Sequence, residues 1–296
     1  MSVDLRRAKS QDPTDTTSAV PGEAVAAFDA IAGDFDATYG SWASVAAQRR
    51  AVRRQLERIF PVGARLLELG GGTGEDAVYL AARGRHVLLT DAAPRMLHAA
   101  QRKVESAGLD DRVSVRPAAV QSLHQIAADW TAAGEPPFDG AYSNFAALNC
   151  VEDLKTVAHG LANLLRTGGA VALVLFGTLP PGEILLQLAR GRPGVAFRRF
   201  RTGAVPARLG GRSFSVWYHR PGAVARAFRP WFRLERRLGI GVFVPPSAAE
   251  PAISRYPRAL AAMERLDVVL EHPLALLGDH VLFEFTRTEV PDPTLP

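Results

Sequence analysis

Between Leu66 and Leu80 the chain changes character twice. Leu66-Leu67-Glu68-Leu69 is a short apolar run holding one acid. Gly70-Gly71-Gly72-Thr73-Gly74 is a glycine turn, and Glu75-Asp76-Ala77-Val78-Tyr79-Leu80 opens a helical pattern. The next apolar run, His86 to Thr90, ends at Asp91. A strand feeding a glycine turn, then a helix, then a strand ending in an acid is a nucleotide-binding half-site. Spacing narrows the choice of nucleotide. A dinucleotide pattern G-x-G-x-x-G counted from Gly70 and Gly72 requires glycine at position 75, where the chain has Glu75. The pattern present is E-x-G-x-G-x-G, formed by Glu68, Gly70, Gly72 and Gly74.

The surrounding periodicities extend this unit into a larger α/β order. Phe28, Ile31, Phe35 and Tyr39 recur at helical spacing, as do Val45, Val52, Leu56 and Ile59. Strands are expected at 64–69, 86–90, 113–115, 138–143 and 170–176, with helices between them, the last two near 121–133 and 154–165. The 170–176 run is continuously apolar, as in a parallel strand covered on both faces. Five strand–helix repeats imply right-handed crossovers and a doubly wound sheet. After residue 176 the rhythm breaks. A short helix over 183–189 and a Pro/Gly/Arg-rich stretch form a connection too long to be ordinary, which reads as a cover over a site. An extended segment at 213–219, a helix at 223–228, a strand at 232–238, a helix at 253–270 and a strand at 279–286 follow. The expected division is a disordered leader (1–22), a core with its N-terminal helices (23–176), a covering insertion (177–220) and a C-terminal part completing the sheet (221–296).

Composition removes several alternatives. The 296 residues contain one cysteine, Cys150, so neither an internal disulfide nor a cysteine-cluster metal site is possible. No long unbroken apolar segment suggests a membrane span. The polar start, with Arg6, Arg7 and Lys9, lacks the apolar core of a secretory signal, and a cytoplasmic location is expected. Formal net charge is +5, unevenly distributed. From Ile184 to Leu234 there is no Asp or Glu, while eleven arginines fall inside, from Arg190 to Arg233. Such a segment either faces something anionic or is simply solvated.

The Glu68–Gly74 stretch with Asp91 resembles motif I of class I S-adenosylmethionine-dependent methyltransferases. The resemblance implies a Rossmann-like, seven-stranded, mostly parallel sheet with helices on both faces and an insertion after strand five. It also implies S-adenosylmethionine as cofactor. Gly70, Gly72 and Gly74 would let the backbone approach the ligand where a Cβ would collide, and the start of the next helix would offer N–H groups to its carboxylate. Glu68 would position the glycine loop and the ligand's amino end, and Asp91 would accept the ribose hydroxyls. Residues Phe28 to Tyr39 look like the N-terminal helix of small-molecule methyltransferases, whose tyrosine, here Tyr39, closes over the methionine tail. Asp91-Ala92-Ala93-Pro94-Arg95-Met96-Leu97 is similar to the family's D-x-S-x-x-M-L, with Ala92 and Met96 on the nucleoside side and Ala93 in place of serine. The acid that meets the adenine amine after strand three is missing from Arg116-Pro117-Ala118-Ala119-Val120-Gln121, where Gln121 is a substitute. Asn144 stands at the exit of strand four.

Methyl transfer from a sulfonium needs alignment above all, and oxygen or carbon nucleophiles usually need a proton removed as well. The candidate bases are Glu183, whose alternative role is charge compensation at a helix start, and His219, whose alternative is a structural turn. No metal site is expected. The expected partner is a small anionic or aromatic metabolite, methylated on oxygen by default, with N- or C-methylation open. Nucleic acid is disfavoured, because the strand-four exit reads Ser143-Asn144-Phe145-Ala146 rather than an Asn-Pro-Pro-Tyr pattern. No membrane partner is expected, and the oligomeric state stays open. A ligand-binding protein that kept the fold without catalysis is the remaining alternative.

Overall fold

The computed structural model describes residues 22–145 and 147–289. The leader expected over 1–22 therefore falls almost wholly outside the described residues. Three helices come first: α1 (Gly22–Ile31), α2 (Phe35–Tyr39) and α3 (Ala43–Ile59). The alternating core follows as β1 (Arg65–Leu69), α4 (Glu75–Ala81), β2 (His86–Asp91), α5 (Pro94–Ser106), β3 (Val113–Pro117), α6 (Leu123–Ala132), β4 (Phe138–Ser143), α7 (Leu154–Leu164) and β5 (Leu165–Phe176). Beyond it lie α8 (Pro181–Ala189), α9 (Pro193–Ala196), β6 (Ala204–Leu209), β7 (Arg212–Trp217), α10 (Pro221–Phe228), β8 (Phe232–Ile240), α11 (Pro257–Leu270) and β9 (His280–Arg287).

Seven strands form one sheet in the order β3-β2-β1-β4-β5-β9-β8. The first five are mutually parallel, and β9 runs antiparallel between β5 and β8. This is the mostly parallel doubly wound sheet that the repeats require. Strand order reverses between β1 and β4, so a crevice opens beyond their C-terminal ends.

Each face of the sheet carries its own core. On one, α6, α7 and α10 pack Ile126, Leu154, Val157, Leu161, Val224 and Phe228 against β4, β5 and β9. On the other, α3, α4 and α5 supply Val52, Leu56, Ala77, Leu80, Leu97 and Ala100. Helix α3 shows why it forms: Ser44, Ala47, Gln48, Ala51, Val52, Gln55 and Leu56 make one buried stripe at helical spacing. Asp153 caps α7, accepting from the Lys155 N–H at 2.8 Å. Pro94 opens α5, where a missing N–H costs nothing.

Three local expectations change. The strand at 204–209 is not picked out from sequence: Val205, Ala207 and Leu209 alternate inward, but Pro206 within the run argues against a strand. It pairs with β7 through Gly210-Gly211, both with positive φ (56° and 78°), the geometry a two-residue hairpin demands. The helix expected over 253–270 is broken: a 3₁₀ turn at Ile253–Arg255 stops before Pro257, which disfavours helix in the residue preceding it. Strand β5 begins at Leu165 rather than residue 170, with an irregular register opposite Phe138–Gly140. The β6–β7 hairpin lays Ala207, Leu209, Phe214 and Val216 on Ala27 of α1. The segment after β5 and the N-terminal helix therefore pack as one unit. Among the described residues no helix is long and apolar enough to cross a membrane.

Candidate active site

A cavity of about 280 Å³ occupies the crevice beyond β1 and β4. Its floor is the glycine turn. Gly70 and Gly72 have φ of 64° and 56°, a region L side chains rarely adopt. A Cβ on Gly70 would stand 2.4 Å from the Cβ of Ala147, so only glycine closes the turn there. At Gly72 a Cβ would meet nothing within 4 Å, and the bare backbone faces open space. Gly74 acts differently from the expectation. It does not line the cavity, and its Cβ would press at 3.1 Å on Ala100, so it lets α4 pack against α5.

Asp91 is the hinge between loop and pocket. Its carboxylate accepts the Gly72 N–H at 2.9 Å and the Ala93 N–H at 2.8 Å. Burial raises its pKa against those hydrogen bonds. Each carboxylate oxygen keeps lone-pair capacity for a further donor. Ala92, Met96 and Gln121 line the cavity with Asp91, as do Ala118 and Ala119.

The other end is built around buried carboxylates. Glu68 is pushed well above the usual carboxylate range, first by burial and then by the nearby Asp76. Its Oε2 has no hydrogen-bond partner, nor does Oδ1 of buried Asn144. The Asn144 amide donates to Asp76 at 3.0 Å. Burial alone would raise Asp76, but Arg49 and Arg53, at 3.1 and 2.7 Å, hold its pKa below the ordinary value. Arg49, Gln48 and Asp76 all line the cavity, and sequence reasoning missed them. The available signal was the spacing of Arg49 and Arg53, four apart on one face of α3.

Helices α1 and α2 form the outer wall through Val25, Phe28, Phe35 and Tyr39. Burial raises the Tyr39 phenol. The wall is fastened by polar contacts. Asp36 accepts the Thr73 hydroxyl at 2.6 Å and pairs with Lys103 at 2.7 Å, and Asp29 accepts the Arg95 N–H at 2.6 Å. Phe145, with φ 48°, stands between Arg49, 5.3 Å above its ring, and the fully buried His280, edge-on at 5.5 Å.

Neither expected base reaches this cavity. Glu183 is buried and clamped by Arg198 and Arg199, and Arg199 also binds Asp279 at 2.7 Å. Its position early in α8 turns it into the body of the fold, where both of its oxygens are occupied by guanidinium groups. His219 is half-buried, its Nε2 2.9 Å from the Val151 carbonyl, and it lies outside the cavity lining. None of the eleven arginines between 190 and 233 lines the cavity either. They therefore give no support for an anionic substrate inside it. Cys150 does line it, and burial pushes its thiol up to about 12. Alkylation by iodoacetamide at pH 8 is expected to be much slower than for an ordinary thiol and slower still with S-adenosylhomocysteine present. Labelling at the rate of free cysteine would contradict this.

The crevice at a topological switch point, the glycine floor and the acid at the end of β2 define an α/β nucleotide-type cofactor site. Residues 66–169 match the model of a methyltransferase domain. This match and the sheet order agree with the class I S-adenosylmethionine-dependent methyltransferases. Over 123 residues it is 32% identical to the tRNA 5-carboxymethoxyuridine methyltransferase of Escherichia coli (strain K12), covering 42% of this chain and 44% of that protein. Over 161 residues it is 32% identical to a demethylmenaquinone methyltransferase of Clavibacter sepedonicus, covering 54% and 60%. The chain thus spans about half the length of these curated relatives. The same fold is seen in the CcbJ methyltransferase from Streptomyces caelestis, with a TM-score of 0.56, 14% identity and coverage of 88% and 98%.

The residues present fit S-adenosylmethionine. Its ammonium and sulfonium suit a site with two buried carboxylates, Glu68 and Asp76, and two unpartnered acceptors. The bare backbone at Gly72 leaves room that a Cβ would fill. The expectation that the start of α4 receives the ligand carboxylate meets an obstacle, since Glu75 and Asp76 occupy that first turn. Arg49 is the cation that lines the cavity beside it.

Proposed function

We propose that the protein is a methyltransferase acting on a small, flat aromatic acceptor. The observation that carries this reading is the set of aromatic side chains lining the cavity, Phe28, Phe35, Tyr39 and Phe145. In this reading Asp91 holds the ribose, Glu68 and Asn144 receive the ammonium, and Arg49 holds the carboxylate. When bound, S-adenosylmethionine supplies a methyl group already activated on sulfur. The chain's remaining task is to hold the acceptor in line and exclude water. Among the described residues lining the cavity there is no histidine or lysine. With Glu68 and Asp91 engaged by the cofactor in this reading and Asp76 paired with Arg49 and Arg53, the acceptor is one whose nucleophile is ionised or electron-rich at neutral pH, such as an acidic ring hydroxyl, and O-methylation is the default.

The test is transfer of labelled methyl from S-adenosylmethionine to a panel of phenols, hydroxyquinols and their carboxylated analogues. Methylation of at least one ring acceptor, reduced on truncating Phe28 or Phe35 to alanine, is the expected result. Cofactor binding without transfer to any member would sink it. A second reading, methylation of a nucleoside in RNA, draws on the arginine-rich segment and the Escherichia coli relative. Transfer to bulk tRNA that declines steeply with salt would favour it over the first.

A further inference from the structure

Helix α8 is built inside out. It buries Glu183 and Gln187, four residues apart, and exposes Leu185 and Leu188. The turn it packs against repeats the inversion, burying Arg198 and Arg199 while Phe197 and Phe200 stand exposed. Glu183 is 2% exposed and Leu185 67%. Polar groups inside and large apolar groups outside reverse what water selects. The buried ions are the staple that holds this arrangement. Glu183 reaches both Arg198 and Arg199, so the polar sides of α8 and the turn meet each other and their apolar side chains are left to solvent. Four large apolar side chains left exposed on two elements held together by ion pairs, with the Phe197 and Phe200 rings 6.0 Å apart, mark a contact surface.

The rim of the patch is cationic. Arg190, Arg192 and Arg201 are exposed, and no acid occurs from Ile184 to Leu234. A partner must therefore be apolar at its centre and anionic around it. A second copy presenting the same patch would set arginine against arginine, which is unfavourable. A nucleic-acid backbone would satisfy the arginines but leave Leu185 and Leu188 in water. The anionic face of a lipid bilayer meets both demands, since short apolar side chains enter the acyl boundary while arginines stay with the phosphates.

We propose that the α8–α9 face docks the protein on anionic lipid membranes as a peripheral, non-spanning contact. This reverses the expectation of no membrane partner, and it stands independently of the acceptor. The patch follows the C-terminal end of β5, and Arg199 ties it there through the carbonyls of Gly177 and Asp279 at 2.9 and 2.7 Å. Docking would thus bring the lipid surface to the edge of the sheet that bears the cavity.

The experiment is co-sedimentation of the full chain with large vesicles, either phosphatidylcholine alone or an equimolar mixture with phosphatidylglycerol. Binding to the anionic vesicles, and at least about tenfold weaker binding to the neutral ones, is expected. The double variant L185E/F197E and the charge variant R190E/R192E should each weaken anionic binding by roughly tenfold or more. S-adenosylhomocysteine affinity, read calorimetrically, should stay as in the parent and shows that the variants are folded. Absence of binding to anionic vesicles would overturn the proposal. So would full retention of binding by L185E/F197E together with competition by poly(U), which would make the face a polyanion site. A concentration-dependent dimer abolished by L185E/F197E, without vesicle binding, would overturn it in favour of a second copy.

Discussion

Replacing Asp91 with alanine is expected to lower affinity for S-adenosylmethionine on the order of a hundredfold, about 3 kcal/mol. Two effects combine. The ribose loses its acceptor, and the N–H groups of Gly72 and Ala93 lose the carboxylate that fixes the glycine turn to the start of α5. Asp91→Asn keeps one acceptor oxygen and should fall between the two. Calorimetric titration with S-adenosylmethionine and with S-adenosylhomocysteine gives the readout. The two ligands should lose affinity alike, because the residue touches the part they share. Unchanged affinity in Asp91→Ala would contradict the assigned role.

Replacing Glu183 with alanine should act on stability instead. It leaves Arg198 and Arg199 buried with part of their compensation gone, a situation that costs about 3–5 kcal/mol in comparable buried pairs. A fall in thermal midpoint of several degrees is expected, with affinity for the cofactor retained in the folded fraction. Were Glu183 instead a base, the variant would keep its midpoint and lose turnover. The same neighbourhood sets the acid limit of the fold. Burial pushes the His280 imidazole down to about 3. The unfolded chain takes up a proton there near ~6.5, so stability is full above that value and declines as pH falls from it toward the folded value. Burial would raise the Asp279 carboxyl, but Arg199 holds it below the usual range. Its contribution is present at neutral pH and is lost only at still lower pH. Chemical denaturation between pH 8 and pH 4 should show the first decline starting above the carboxylate range. A flat profile down to pH 5 would exclude His280 as its source.

Local signals carried the reading where the chemistry is local. The run from Leu66 to Asp91 contains a strand, a turn and an acid in fixed phase, and the fold places them as that phase requires. The alternation of elements likewise specified a parallel sheet. The parts that escaped depend on contacts between distant segments. Arg49 and Arg53 meet Asp76 from another helix, and nothing near residue 49 announces the partner. Glu183 looked available because it stands among Ile184, Leu185 and Leu186. The arginines that claim it lie fifteen and sixteen residues further on, in a turn whose position only packing decides. Gly74 shows the converse case: a motif position that fits the pattern while serving helix packing.

The polar fastening of α1 and α2 carries a corollary. Asp36 grasps Thr73, a member of the very loop that would cradle the donor, and Lys103 tethers both Asp36 and Glu75. Loosening the wall and loosening the cradle are consequently one event. Access to the cavity and the shape of its floor are therefore coupled through one small set of polar contacts.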